Sequence, residues 1–106
     1  MKYLFLLFPL SIFSQSIFVE DYSSQADLNV FVAKYSSEAD LLVYKVDYKS
    51  QVEGNKGSWY FVEYKSQADK SIYFVDYKSQ ADLVIKFVDY KSQSGWKRKN
   101  KMHLLF

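Results

Sequence analysis

The chain holds 106 residues, with 14 Lys and Arg against 12 Asp and Glu, a formal charge of +2, no cysteine and 20% aromatics. That length supports one domain, the near-neutral balance argues against a dedicated nucleic-acid protein, and the missing cysteines exclude disulfides and thiol chemistry. A domain this small buries a modest fraction of its surface, so its rings, each removing ~150–250 Å² from water, must supply much of the core.

In chain order, residues 1–16 read first as a secretory signal peptide. Met1-Lys2 brings one positive charge, Tyr3 to Phe13 is an apolar run broken by Pro9 and Ser11, and Ser14-Gln15-Ser16 offers small residues for cleavage. The run is short for a bilayer span, and with no cysteine after it a lipid anchor is excluded. The expectation is a secreted or periplasmic mature chain over residues 17–106, with no transmembrane segment of its own.

From residue 17 the chain is six copies of a thirteen-residue unit, starting at Ile17, Val30, Val43, Trp59, Ile72 and Ile85. One insertion of about three residues near Asn55-Lys56-Gly57-Ser58 breaks the count. Each unit opens on apolar and aromatic residues, as in Ile72-Tyr73-Phe74-Val75-Asp76-Tyr77, which suit a strand. Four bulky positions in a row, without strict alternation, predict strands covered on both faces, in a fully buried or intertwined sheet.

Each unit then closes on a connector such as Ser79-Gln80-Ala81-Asp82, predicted as one tight helical turn. Ser24/Asp27, Ser37/Asp40, Ser66/Asp69 and Ser79/Asp82 follow the capping-box spacing, and Glu53 stands opposite Ser50. Ser92, in the sixth copy, completes the serine column. The alanines Ala26, Ala39, Ala68 and Ala81 suit close packing. Connectors this short cannot cross over between parallel neighbours, which needs about a dozen residues, and they lack the Asn-Gly or Asp-Gly of tight hairpins. They are therefore expected to carry the chain from one layer to another. The fold class is mainly β: strand-plus-capped-turn repeats in a compact two-layer domain.

The iterated string from Phe74 to Leu83, its return at Phe87 to Tyr90, the Lys56 to Tyr60 insertion and the Gly95 to Lys99 close resemble the septoil knot domain family. The resemblance covers essentially residues 17–106; copies one and two depart at Ser23, Ser36 and Glu38, which are surface-type changes. It implies a small bacterial domain whose backbone ties a deep knot with seven crossings, and it implies no activity.

Residues that could carry chemistry are few. His103 is the one histidine, and no acid follows Asp89; the repeat serines are expected as caps, and there is no glycine-rich phosphate loop among three glycines. The expectation is no enzyme, no cofactor and no metal, the scattered acids being better explained by capping and by pairing with Lys49, Lys65, Lys78 and Lys91. Tyr22, Tyr35, Tyr48, Tyr64, Tyr77 and Tyr90 fill one column. They are expected to bury their rings and bond neighbouring turns, the alternative being a stacking surface for sugars or bases. Lys97, Arg98, Lys99 and Lys101 form a basic tail beside Trp96. It is expected to close the fold through Leu104, Leu105 and Phe106, the alternative being a site for anionic envelope glycan or lipid. The function expected is an exported structural or binding protein.

Overall fold

The computed structural model describes residues 15–52 and 54–105. Most of the expected leader, Glu53 and Phe106 thus lie outside the described residues. Seven strands form one sheet: β1 (Ser16–Val19), β2 (Leu28–Val32), β3 (Leu41–Lys45), β4 (Ser58–Phe61), β5 (Lys70–Phe74), β6 (Leu83–Phe87) and β7 (Gly95–Trp96). Their order is β4-β1-β5-β2-β6-β3-β7, and a further β3–β4 pairing closes the first six into a barrel. All pairings within that barrel are parallel, and β7 alone runs antiparallel, against the start of β3. The two layers expected from the repeat are opposite walls of this one closed sheet.

Parallel pairing coexists with short connectors because consecutive strands are not neighbours. β5 separates β1 from β2, and β6 separates β2 from β3. The stagger of the barrel makes the step short: Ile72 faces Val19 on one side and Leu28 on the other, and Ile85 likewise faces Val32 and Leu41. One strand thus ends level with the start of the next. Eight residues, 20–27 or 33–40, need only arch over the intervening strand. β3 and β4 are the one consecutive pair that does touch, and the insertion gives them a twelve-residue connector, 46–57, the length a parallel crossover requires.

The barrel interior is built from one column. Ile17, Val30, Val43, Trp59, Ile72 and Ile85, the first residue of each copy, are all fully buried. Leu28, Leu41 and Leu83 extend this layer on one side, and Phe61, Phe74 and Phe87 pack against it. Trp59 meets Phe61 edge-on at 6.1 Å. The alternate, outward positions Phe18, Phe31, Tyr44, Tyr60 and Tyr73 are half-buried. Arches cross the outer wall, so both faces of a strand are apolar and the alternation is blurred.

Candidate functional site: the belt of arches

Each arch contains a single 3-10 turn, at Ser23–Gln25, Ser36–Glu38, Lys49–Gln51, Lys65–Gln67, Lys78–Gln80 and Lys91–Gln93. The expected helical turn is therefore present in every copy. The serine caps are not. The tyrosine stands at the N-cap in extended conformation, and the serine column falls inside the turn. From there a serine hydroxyl cannot take the N-cap role. In the third turn Gln51 Oε1 accepts from Asp47 N–H and Tyr48 N–H, both at 3.0 Å.

The connector aspartates serve a different purpose from capping. Asp27 accepts from Ser71 N–H, Asp40 from Val84 N–H, Asp69 from Ser16 N–H and Asp82 from Asn29 N–H, each at 2.9 Å. In each case the aspartate's own N–H donates back to the carbonyl of that same strand residue, at 2.7–3.0 Å. The other foot of the arch is fixed too: the N–H of Glu20, Ala33, Val62 and Val75 reaches Ile72, Ile85, Ile17 and Val30. Every one of these arches is bolted at both ends to the strand it straddles. Charge-assisted bonds of this kind are stronger than neutral ones.

Tyr22, Tyr35, Tyr48, Tyr64, Tyr77 and Tyr90 are 59–68% exposed, which corrects the expectation that their rings are buried. The physical reason is the arch: once the chain leaves the sheet to cross a neighbour, its crest faces water whatever residue it carries. Going round the barrel, β1, β2, β3, β5 and β6 each carry one of these crests above them, and Tyr48 stands on the connector between the neighbours β3 and β4, so the rings form a belt. Beside them the serines and glutamines of the turns are exposed as well. Neighbouring arches are tied together by the Lys65–Glu20 ion pair at 2.8 Å and by Lys65 Nζ and Lys91 Nζ donating to the Gln25 and Gln51 carbonyls. Two clefts open on this belt. One of about 540 Å³ is lined by Lys49, Tyr60, Val62, Ser66, Gln67 and Asp69. The other, of about 320 Å³, is lined by Ser23, Asn29, Tyr73, Val75, Asp76 and Gln80.

The basic tail is woven into the fold. β7 pairs with Leu41 and Leu42. Arg98 Nη1 donates to Ala39 O at 3.0 Å and to Asp40 Oδ1 at 3.1 Å, and Lys101 Nζ donates to Asp82 O at 3.1 Å. Trp96 Nε1 donates to Asn55, Asn55 Nδ2 donates to Met102 O, and Leu105 is buried in the core. Of the four basic residues singled out in the sequence, Arg98 and Lys101 are thus engaged at the surface, while Lys97 and Lys99 are exposed. His103, also exposed, shares a cleft with Asp82, Asn100 and Lys101, a juxtaposition the sequence did not suggest, but no serine or threonine lines it. Among the described residues no cluster of three or more His, Asp or Glu could hold a metal ion, and no helix is long and apolar enough to cross a membrane.

The pattern of arches and strands has a counterpart in one known family: the model of the 7(1) septoil knot domain matches residues 14–97. The chain belongs to the septoil knot domain family. The match takes in the barrel strands, every arch and the turn into β7, so the septoil knot domain and the barrel are the same object here. No curated protein and no solved structure matches the chain.

Proposed function

We propose that this septoil knot protein is an exported, non-enzymatic binding protein that holds a neutral polysaccharide on its belt of tyrosines. The observation that carries this reading is the exposure of all six column tyrosines on the connectors of a closed barrel, four of which are bolted at both feet. An exposed phenol ring offers an apolar face for the C–H side of a sugar and a polar edge for water. Exposed serine hydroxyls next to each ring, and glutamine amides next to all but Tyr35, supply donors and acceptors for sugar hydroxyls. The belt disfavours an anionic ligand, because the five acids before the rings (Asp21, Asp47, Glu63, Asp76, Asp89) outnumber the four lysines after them (Lys49, Lys65, Lys78, Lys91). Repeating a weak stacking site around one rigid body lets a polymer bind by avidity.

The alternative, an envelope module gripping anionic glycan or lipid with its basic tail, draws on the exposed Lys97 and Lys99, since Arg98 and Lys101 are already committed. One experiment separates the two. The exported chain is tested for retention on cellulose, chitin and starch, and on peptidoglycan, lipopolysaccharide and DNA, at low and at about 150 mM salt, where surface charge is screened within ~8 Å. The belt reading expects salt-insensitive retention on an uncharged polymer that falls stepwise as Tyr22, Tyr48, Tyr64 and Tyr77 are replaced by alanine. Retention erased by salt and by Lys97→Glu with Lys99→Glu would transfer the function to the tail. No retention on any polymer would leave a structural role.

A further inference from the structure

We infer that the leader is removed between Ser14 and Gln15, so that Gln15 is the first residue of the working protein. This rests on the export reading above and adds to it a site of processing. The chemistry is hydrolysis by a leader endopeptidase: water adds across the Ser14–Gln15 peptide bond, Ser14 departs with a carboxylate, and Gln15 keeps the new α-amine.

The small-x-small rule for leader cleavage points elsewhere. Ser14-Gln15-Ser16 fits that rule for a cut after Ser16, leaving Ile17 first. The barrel cannot spare the two residues so lost. Ser16 opens β1 and receives the bolt of the β4-to-β5 arch: its N–H donates to Asp69 Oδ2 at 2.9 Å, and its carbonyl accepts from Asp69 N–H at 2.8 Å. The same bolt recurs at Asn29, Ser71 and Val84 on three other strands, so Ser16 is a regular member of the repeat's architecture. Cutting after it would leave that arch pinned at one foot only.

Gln15 does separate work. Its carbonyl accepts from Tyr60 N–H at 2.9 Å, continuing the β1–β4 pairing, and its Nε2 donates to the Leu105 carbonyl at 3.2 Å. The two ends of the described chain are thus joined through one side chain, and both Gln15 and Ser16 are fully buried. The family match itself opens at residue 14, ahead of both.

The test uses the full chain with its own leader, expressed in an exporting bacterium and recovered from the periplasm or medium. Intact mass and amino-terminal sequencing should find Gln15 first, either linear or cyclised with loss of ammonia. A protein beginning at Ile17 would overturn the inference and leave export standing. A protein that keeps Met1 and stays in the cytoplasm would overturn the export reading, and the inference with it. As a second measurement, chains made directly from Gln15 and from Ile17 are compared in denaturant. Losing these hydrogen bonds should lower the folding equilibrium constant of the shorter chain by on the order of a hundredfold. Equal stability would remove the structural reason for the assignment.

Discussion

Replacing Asp40 with alanine takes two acceptors from two very different donors. Asp40 Oδ2 holds the N–H of Val84, a residue 7% exposed, so without the carboxylate that donor is left buried and unpaired. An orphaned buried N–H costs about 1–3 kcal/mol. Asp40 Oδ1 holds Arg98 Nη1, whose side chain is 48% exposed and is rehydrated when released. That half of the site contributes only ~0–1 kcal/mol. The expected loss for Asp40→Ala is therefore about 1–4 kcal/mol, a fall in the folding equilibrium constant of roughly five- to several-hundredfold. Two companions make the number diagnostic. Asp82→Ala breaks the equivalent bolt, but to Asn29 N–H in an exposed pair, where water can step in, so about 1 kcal/mol is expected. Arg98→Ala removes the ion pair and leaves Val84 satisfied, and about 1 kcal/mol or less is expected. The assay is urea denaturation followed by tryptophan fluorescence, approached from folded and from unfolded protein. The buried bolt is the wrong explanation if Asp40→Ala costs no more than Asp82→Ala, or no more than Arg98→Ala.

The other expectations concern the core, the insertion and the folding route. Trp59 Nε1 is buried with no hydrogen-bond partner, so Trp59→Phe should melt close to the parent, the relief of that donor offsetting the smaller ring. Trp59→Ala should instead lose about 3–5 kcal/mol. Gly57 has φ +91°, and an added Cβ would collide with the Leu42 carbonyl oxygen, so Gly57→Ala should be severely destabilising in the same melts. Gly95 has φ +143° with open space around it, and Gly95→Ala should cost only the backbone strain, about 1–2 kcal/mol. If the backbone carries the family's seven-crossing knot, refolding from full denaturation should be slow and unfolding slower, by manual-mixing fluorescence. Single-phase refolding in milliseconds would speak against threading.

Local chemistry was readable along the chain, and spatial order was not. The strand-then-turn unit follows from β-branched and aromatic residues giving way to Ser-Gln-Ala-Asp, because both are short-range preferences. Intertwining followed from the bulky runs together with connectors too short to join parallel neighbours. The aspartates were misread for a physical reason: Asp40 in sequence sees Ser37, whereas in space its carboxylate meets Val84, 44 residues away. A capping box and a long-range bolt have the same local spelling. The tyrosines were misread because a ring in every copy resembles a core column. Their flanks carried the contrary signal, since Asp76-Tyr77-Lys78-Ser79 places the ring amid charges and hydroxyls. Periodicity alone also gives no neighbour order, so closure into a barrel had no local signature.

The one irregularity in the repeat is what the barrel most depends on. Every eight-residue arch advances the chain by two strand positions around the ring, from β1 past β5 to β2, and from β2 past β6 to β3. Six positions are divisible by two, so a strictly regular chain would return after three copies to the place already held by β1. The longer connector that includes Gly57 advances the chain by one position only, setting β4 beside β3 and between β3 and β1. The second lap is thereby shifted out of phase, and β5 and β6 fall into the gaps left by the first. The same counting governs the end of the chain. A further step of two would land on β4, so after β6 the chain turns instead, and β7 pairs with Leu41 and Leu42 of β3. β4 reaches β3 only at Tyr44 and Lys45, so β7 covers the stretch of strand edge that β4 leaves unpaired. The basic tail sits where it does because that edge needs a partner, and Arg98 and Lys101 fasten it to two of the arches, at Asp40 and at Asp82.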